Sequence, residues 1–426
     1  MSPDIVQAGT GAIAALAAAG IVFRPRGLPE AIWAVAAALL LVGLRFLPLS
    51  AAWHGVLAGL DVYLFLIGMM VLSEVAREAG LFDWLAALAT RLAKGSPGRL
   101  FVLVYGVGIL VTAFLSNDAT AVVLTPAVVA AMRAARVSEP LPYLFICAFI
   151  ANAASFVLPI SNPANLVVYS SHMPPLFEWL PLFALPSLAA IVATYGMLRW
   201  SQRHRLSHEI VHRVEMPHLS FGGRVAGFGI VATAIVLMAV SAYGYQLGLP
   251  TAITGILTAA VTLIVERRSP LKVVRGVSWG VLPLVAGLFV LVEGLQYTGS
   301  IPALARFLLL AAEGSAIGTA WAFAAITALA TNLVNNLPVG LVAATVFQSA
   351  EFPEMLRRFV LIAVDLGPNL SVTGSLATIL WLAALRREGI SVSGRAFLKV
   401  GILVMPPALI LSLLAAWFSS SAVLAG

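Results

Sequence analysis

The chain has 426 residues, of which 61% are hydrophobic and only 10% charged, with a mean hydropathy of +1.00. A soluble domain carries about 25% charged residues, so this composition excludes one; repeated apolar runs near 20 residues indicate a polytopic membrane protein instead. The net charge of +7 does not signal nucleic acid, because the basic residues fall in short loops between apolar runs. One cysteine, Cys147, excludes an internal disulfide and a polythiolate metal site. The opening Met1-Ser2-Pro3-Asp4 has no positive region ahead of the first apolar run, so no cleaved signal peptide is expected.

Taken in chain order, apolar runs predict spans near 7–23, 29–49 and 57–76, then 141–170 and 177–198. Further spans are predicted near 224–243, 249–266, 279–298, 355–386 and 396–419. Two more segments, 100–134 and 316–350, are too long for one crossing and carry polar residues at their middles. Each reads as two half-length helices meeting at a tip. Basic residues flank 100–134 on both sides: Arg77, Arg91, Lys94 and Arg99 before it, Arg133 and Arg136 after it. A segment that enters and returns keeps both flanks cytoplasmic, and such backbone is tolerated where protein or water surrounds it. On this reading 21 of the 25 basic residues lie inside, leaving Arg45, Arg306, Arg357 and Arg358 outside. The expected fold is all-α and polytopic, with about ten transmembrane helices, two re-entrant hairpins and both termini extracytoplasmic.

The chain divides into 1–198, a cytoplasmic linker 199–223, and 224–426. The halves resemble each other. Gly68, Glu74 and Gly80 match Gly287, Glu293 and Gly299 at an offset of 219, and Asn117 matches Asn335 at 218. Ser161 matches Thr373 at 212. The predicted topology runs the Glu74 span inward and the Glu293 span outward, so the repeats are expected to be inverted. Inverted repeats with broken helices and midplane polar groups are a secondary-transporter architecture.

The candidate substrate site draws on four stretches. The first tip offers Ser116, Asn117, Asp118 and Thr120, at a helix start whose free N–H groups suit an oxygen-rich ligand. The span 141–170 breaks at Pro159 and Pro163, offering Ser161, Asn162 and Asn165, with Asn152 and Ser155 upstream. The second tip offers Asn335 and Asn336. The span 355–386 opens at Gly367, Pro368 and Gly374, offering Asn369, Ser371, Thr373, Gly374 and Ser375. Carboxylates at such depth are costly and mark pathways, so Asp118 and Asp365 are the primary proton-coupling candidates. Glu74 and Glu293 are secondary ones, since Arg77 predicts an interfacial ion pair for Glu74. Asp61 reads as the N-terminal cap of its own span. His204, His208, His212 and His218 read as a solvated loop rather than a metal site. No Walker motif, phosphate loop or nucleophile elbow is present, so neither a catalytic residue nor a cofactor is expected.

The stretch Phe114-Leu115-Ser116-Asn117-Asp118-Ala119-Thr120 through Pro126 resembles the first-hairpin motif of the ArsB arsenite permease family. Asp365-Leu366-Gly367-Pro368-Asn369, with Thr373 to Trp381, resembles that family's second broken helix, and Arg24-Pro25-Arg26-Gly27-Leu28 its first loop. The first motif is shared with a wider superfamily that includes NhaD-type sodium/proton antiporters. The resemblance implies a bacterial or archaeal inner-membrane exporter of arsenite and antimonite in exchange for protons, conferring arsenic resistance. It also implies an ArsA-type ATPase as a partner of some members; a homodimer is left open. A sodium/proton antiporter is the alternative, and a passive channel or structural membrane subunit is the second.

Overall fold

The computed structural model describes residues 2–169, 173–206 and 215–423, and every regular element among them is helical. The helices α1 (Pro3–Phe23) and α2 (Glu30–Gly43) precede a short α3 (Leu49–Ala58) and α4 (Leu60–Glu78), bent by 44° from α3. Next come α5 (Leu81–Leu92), α6 (Pro97–Phe114), the single turn α7 (Asn117–Ala119), a wide π-helical turn (Thr120–Leu124) and α8 (Thr125–Ala134). Then α9 (Leu141–Ala153) stops, and a 3-10 turn (Pro159–Ser161) leads to α10 (Pro163–Tyr169) and α11 (Leu176–Gln202).

The second half runs in the same order. It has α12 (Phe221–Ala242), α13 (Gly248–Glu266), a short α14 (Leu271–Gly276), α15 (Val281–Tyr297) and α16 (Ser300–Gly314), the last pair bent by 71°. The hairpin arms α17 (Ala316–Val334) and α18 (Asn336–Ser349) follow. After them α19 (Glu354–Leu366) ends in a 3-10 turn (Gly367–Leu370), α20 (Leu376–Arg387) resumes, and α21 (Gly394–Val423) closes the chain. Even the caps repeat. Ser96 accepts from the Arg99 amide at the start of α6, and Ser315 accepts from the Gly318 amide at the start of α17. Among the described residues, seven helices are long and apolar enough to cross a membrane, or nine if each bent pair is one span.

Three details differ from the sequence expectations. The run 29–49 is not one rod: α2 ends at Gly43, a turn follows, and α3 begins at Leu49. The stretches before both hairpins, read as loops, contain α5 and α16. These helices are amphipathic; α5 buries Leu81, Phe82, Ala86 and Ala89 while Arg91 stays at its last turn. Asp61 does not cap α4. Its Oδ1 accepts from the Gly248 amide at 2.7 Å, so it caps the start of α13 in the other half. His208 and His212 lie outside the described residues.

The halves pack crosswise. The helix α13 lies along α4, while α2 and α3 lie along α15. Without a hydrophobic drive between helices in lipid, close backbone approach must supply the packing energy, and small residues permit it. A Cβ at Gly68 would stand 2.2 Å from the Thr251 carbonyl oxygen, and one at Gly255 would stand 2.4 Å from the Gly68 oxygen. Both obstacles are backbone, so neither can rotate away. Gly68→Ala is therefore expected to cost at least the ~1–3 kcal/mol of ordinary overpacking. Thermal unfolding in detergent checks this against Gly106→Ala on α6, where an added Cβ meets nothing within 4 Å. Equal melting temperatures for the two variants would remove the claim.

Candidate functional site

The first tip forms where α6 stops at Phe114 and the chain turns through Leu115 into an extended Ser116. Ser116 Oγ accepts from the Ala119 amide (3.1 Å), and Asn117 Oδ1 accepts from the Asp118 amide (2.9 Å). Thr120 Oγ1 meets Thr112 Oγ1 across the arms at 2.8 Å. A π-turn then spans Thr120–Leu124; such turns are rare and gather at functional sites. Asp118 opens into a cavity of about 40 Å³ that also holds Ser73, Glu74, Ser116 and Ser278. That is room for one or two waters. Glu74 is held there by Arg77, through Nε at 2.9 Å and Nη2 at 2.6 Å.

The first broken helix is stitched from within. Asn165 Nδ2 donates to the Ser155 carbonyl at 2.8 Å, with the Leu158 and Pro159 carbonyls at 3.3 Å. Those are carbonyls that the break at the prolines frees. Ser155 Oγ donates to the Asn152 carbonyl (2.7 Å). Ser161 Oγ donates to the Ala113 carbonyl (3.0 Å), tying the break to the first hairpin.

The second tip turns at Asn335, whose φ of 75° and ψ of 155° form a backbone conformation that side chains rarely adopt. Its Oδ1 accepts from the Leu337 amide (3.3 Å). The Asn336 amide donates to the Gly374 carbonyl (2.9 Å). A Cβ at Gly374 would meet the Pro368 backbone at 2.5 Å, so only glycine lets these strands of irregular backbone close up. Asn332 organises this contact. It donates to the Gly367 carbonyl (2.9 Å), its Oδ1 accepts from Ser371 Oγ (2.7 Å), and its carbonyl accepts from Thr373 Oγ1 (2.9 Å). Ser375 Oγ accepts from the Thr378 amide (3.1 Å) and caps α20.

The two halves meet through their broken helices. Asn152 Nδ2 donates to Asn369 Oδ1 at 2.9 Å, and Asn369 Nδ2 donates to the Phe149 carbonyl at 3.0 Å. Asn162 Nδ2 donates to Asp365 Oδ1 at 2.6 Å. Each hairpin also packs on the broken helix of the opposite half: α7 and the π-turn on α20, α18 on α10. Among the described residues, three buried oxygens in this seam have no hydrogen-bond partner: Asn152 Oδ1, Asn165 Oδ1 and Asp365 Oδ2.

The structure thus brings Asn152, Asn162, Asp365 and Asn369 into one cross-half cluster. It places Ser116 and Asp118 in the adjoining cavity, which Pro163 also lines, one residue from Asn162. Ser371, Thr373, Asn335 and Asn336 instead serve the docking of the second tip on its own broken helix. Glu293 lies apart, in a separate cavity of about 370 Å³. Four further polar residues adjoin these groups: Ser73 lines the Asp118 cavity, Thr112 meets Thr120, Thr378 stands 3.5 Å from Asn152 Nδ2, and Asn332 holds the docked second tip. Asn332 had a signal in the sequence, since it stands one helical turn before Asn335.

A helical membrane protein whose halves repeat, and meet through paired broken helices around a buried polar seam, is a membrane transporter. The chain belongs to the CitMHS citrate transporter family, whose family model matches residues 18–366. It is 28% identical to an arsenical pump membrane protein of Yersinia enterocolitica over 92% of this chain and 94% of that one. The arsenical pump membrane protein of Escherichia coli strain K12 is also 28% identical, over 82% of this chain and 84% of its own. An uncharacterized transporter of Mycobacterium tuberculosis is 24% identical over 84% of this chain and 85% of its own. Among solved structures, the Alcanivorax borkumensis YdaH transporter, described as having an unusual topology, superposes with a TM-score of 0.60. It shares 15% identity, with 89% of each chain covered.

Proposed function

We propose that this protein exports arsenite from the cytoplasm in exchange for protons. The observation that carries the reading is the set of unpartnered buried oxygens at Asn152, Asn165 and Asp365. Arsenite near neutral pH is As(OH)3, small and uncharged, with three hydroxyls that both donate and accept. Amide and carboxylate oxygens accept from those hydroxyls, and the amide N–H groups and serine and threonine hydroxyls donate back. Antimonite has the same form and fits the same groups. The names of the relatives support the substrate.

Citrate, the substrate in the family's description, fits poorly. It is a multiply charged carboxylate and calls for arginine or lysine. Among the described residues no basic side chain lines the Asp118 cavity, and the sequence has none in 141–170 or 359–385. A neutral substrate gains nothing from the membrane potential, so a proton supplies the driving force. Asp118 and Asp365 are the carboxylates placed to carry it. In this reading the protein lies in the inner membrane with both termini extracytoplasmic and 199–223 as a cytoplasmic linker. It needs no ATPase; docking of an ArsA-type subunit would add to this cycle rather than replace it. The same carboxylates and amide oxygens also suit a hard cation, which keeps sodium/proton exchange as the second reading.

Everted vesicles with an imposed pH gradient separate the two when arsenite and sodium uptake are followed side by side. The expected result is arsenite accumulation above its external concentration, unaffected by sodium. Sodium-stimulated proton flux without arsenite uptake would select the antiporter. Arsenite flux that never exceeds equilibration would select a passive channel.

A further inference from the structure

The repeat gives each half one carboxylate at the same position, Glu74 and Glu293, but the two are neutralised differently. Glu74 is buried and held by Arg77, a side chain that stays protonated at any physiological pH. Glu293 is a quarter exposed and faces the cavity of about 370 Å³ between α3, α4, α15 and α18. Beside it stands His54 of α3, three-quarters exposed, with Nδ1 at 3.6 Å from Glu293 Oε1. Histidine is the side chain whose ordinary charge change falls between about pH 5 and 8.

The other ionisable groups around His54 are few. The helix α15 contributes Glu293 and, one turn on, Tyr297, which is exposed. The helix α4 contributes Asp61, which lines the same cavity while accepting from the Gly248 amide, and Tyr63, whose hydroxyl donates to the Val56 carbonyl at 3.0 Å. The far end of α4 carries Glu74, Arg77 and Glu78, already paired with one another. The helix α2 carries only Glu30, at its first turn and bound to Arg24. Among the described residues no arginine or lysine lines the cavity, and His54 is the one basic side chain in its wall. The seat for α3 is already shaped: Gly55 lies against the backbone of Phe289 and Val290, where a Cβ would stand 3.2 Å from the Phe289 oxygen.

We propose that His54 and Glu293 form a proton-operated clasp at the mouth of this cavity. A proton on His54 completes an ion pair that holds α3 down on α15 and narrows the mouth. Loss of that proton leaves Glu293 without a countercharge and frees α3. The half that carries Arg77 has no such response, so the two faces of the transporter answer pH unequally. The proposal rests on the transporter reading only in taking this cavity as one end of the path.

A reporter cysteine tests it without any substrate. Thr345→Cys, in a Cys147→Ala background, places a thiol in the cavity wall, and its labelling by a water-soluble maleimide is followed on purified protein. Comparing His54 with His54→Gln at each pH cancels the thiol's own ionisation. The Gln variant should label about fivefold faster at about pH 5.5, the scale of one partly exposed ion pair, and equally fast near pH 8. His54→Lys should label slowly at both pH values, and Glu293→Gln should reproduce His54→Gln. A ratio that does not change with pH, or a Lys variant that behaves like Gln, overturns the clasp. Arsenite uptake by the wild-type protein is measured separately, so failure of the substrate assignment leaves the labelling result standing, and the reverse.

Discussion

Asp118→Asn is expected to abolish uphill arsenite uptake in everted vesicles, by about 10²-fold or more, the range lost when a proton-transfer group is removed. The substitution keeps the shape of the side chain and leaves the cap of the first tip to Ser116 and Asn117. It removes only the proton. Arsenite binding to purified protein and downhill exchange should therefore survive. Asp365→Asn is the comparison, because Asp365 is fully buried and already bonded to Asn162. Uncoupling by Asp365→Asn with normal coupling in Asp118→Asn would move the proton site into the second half. Uphill transport in both single variants would leave neither carboxylate essential, and Glu74 would be the next candidate.

The second large effect is expected at Asn369. Its side chain accepts from Asn152 Nδ2 and donates to the Phe149 carbonyl, with all three groups buried. Asn369→Ala leaves Asn152 Nδ2 only its 3.5 Å contact to Thr378 Oγ1 and takes the side-chain donor from the Phe149 carbonyl, each loss costing up to ~1–3 kcal/mol when buried. Stability should fall by up to about 2–6 kcal/mol, with loss of transport. Asn152→Ala removes the other member of the pair. In the double variant the Asn152 donor no longer exists, so the combined loss should be smaller than the sum of the single losses. Strict additivity of the melting shifts would mean that the amide pair does not couple the halves.

Much of this site is written locally. The chain breaks at Leu115-Ser116, at Pro159 to Pro163 and at Gly367 to Ser375, and each break is marked by proline, glycine or a polar run within an apolar segment. Such marks act within a few residues, so sequence displays them. The helices α5 and α16 were not legible for the opposite reason. They are amphipathic and short, and α5 carries Asp83 and Arg91, so hydropathy averages them into loops. Asp61 shows a third case. A carboxylate in the first turn of α4 invites the local capping assignment, but its acceptor oxygen is used by Gly248, 187 positions away. Asn165 is a fourth: an amide beside a proline break suggests a ligand group, yet its nitrogen serves the break itself. Partners set by tertiary packing leave no periodic trace in the chain.

The crosswise packing of the halves also governs how the protein can be made. The helix α4 ends at Glu78, but α13, which covers its Gly68 face, ends at Glu266, 188 residues later. At roughly 5–20 residues per second, translation takes about 10–40 s to deliver that cover. Throughout the interval a groove shaped for helix backbone stands open to lipid or to the insertion machinery. Neither half is therefore a self-sufficient folding unit: the first must wait in the bilayer until the ribosome has made the opening helices of the second.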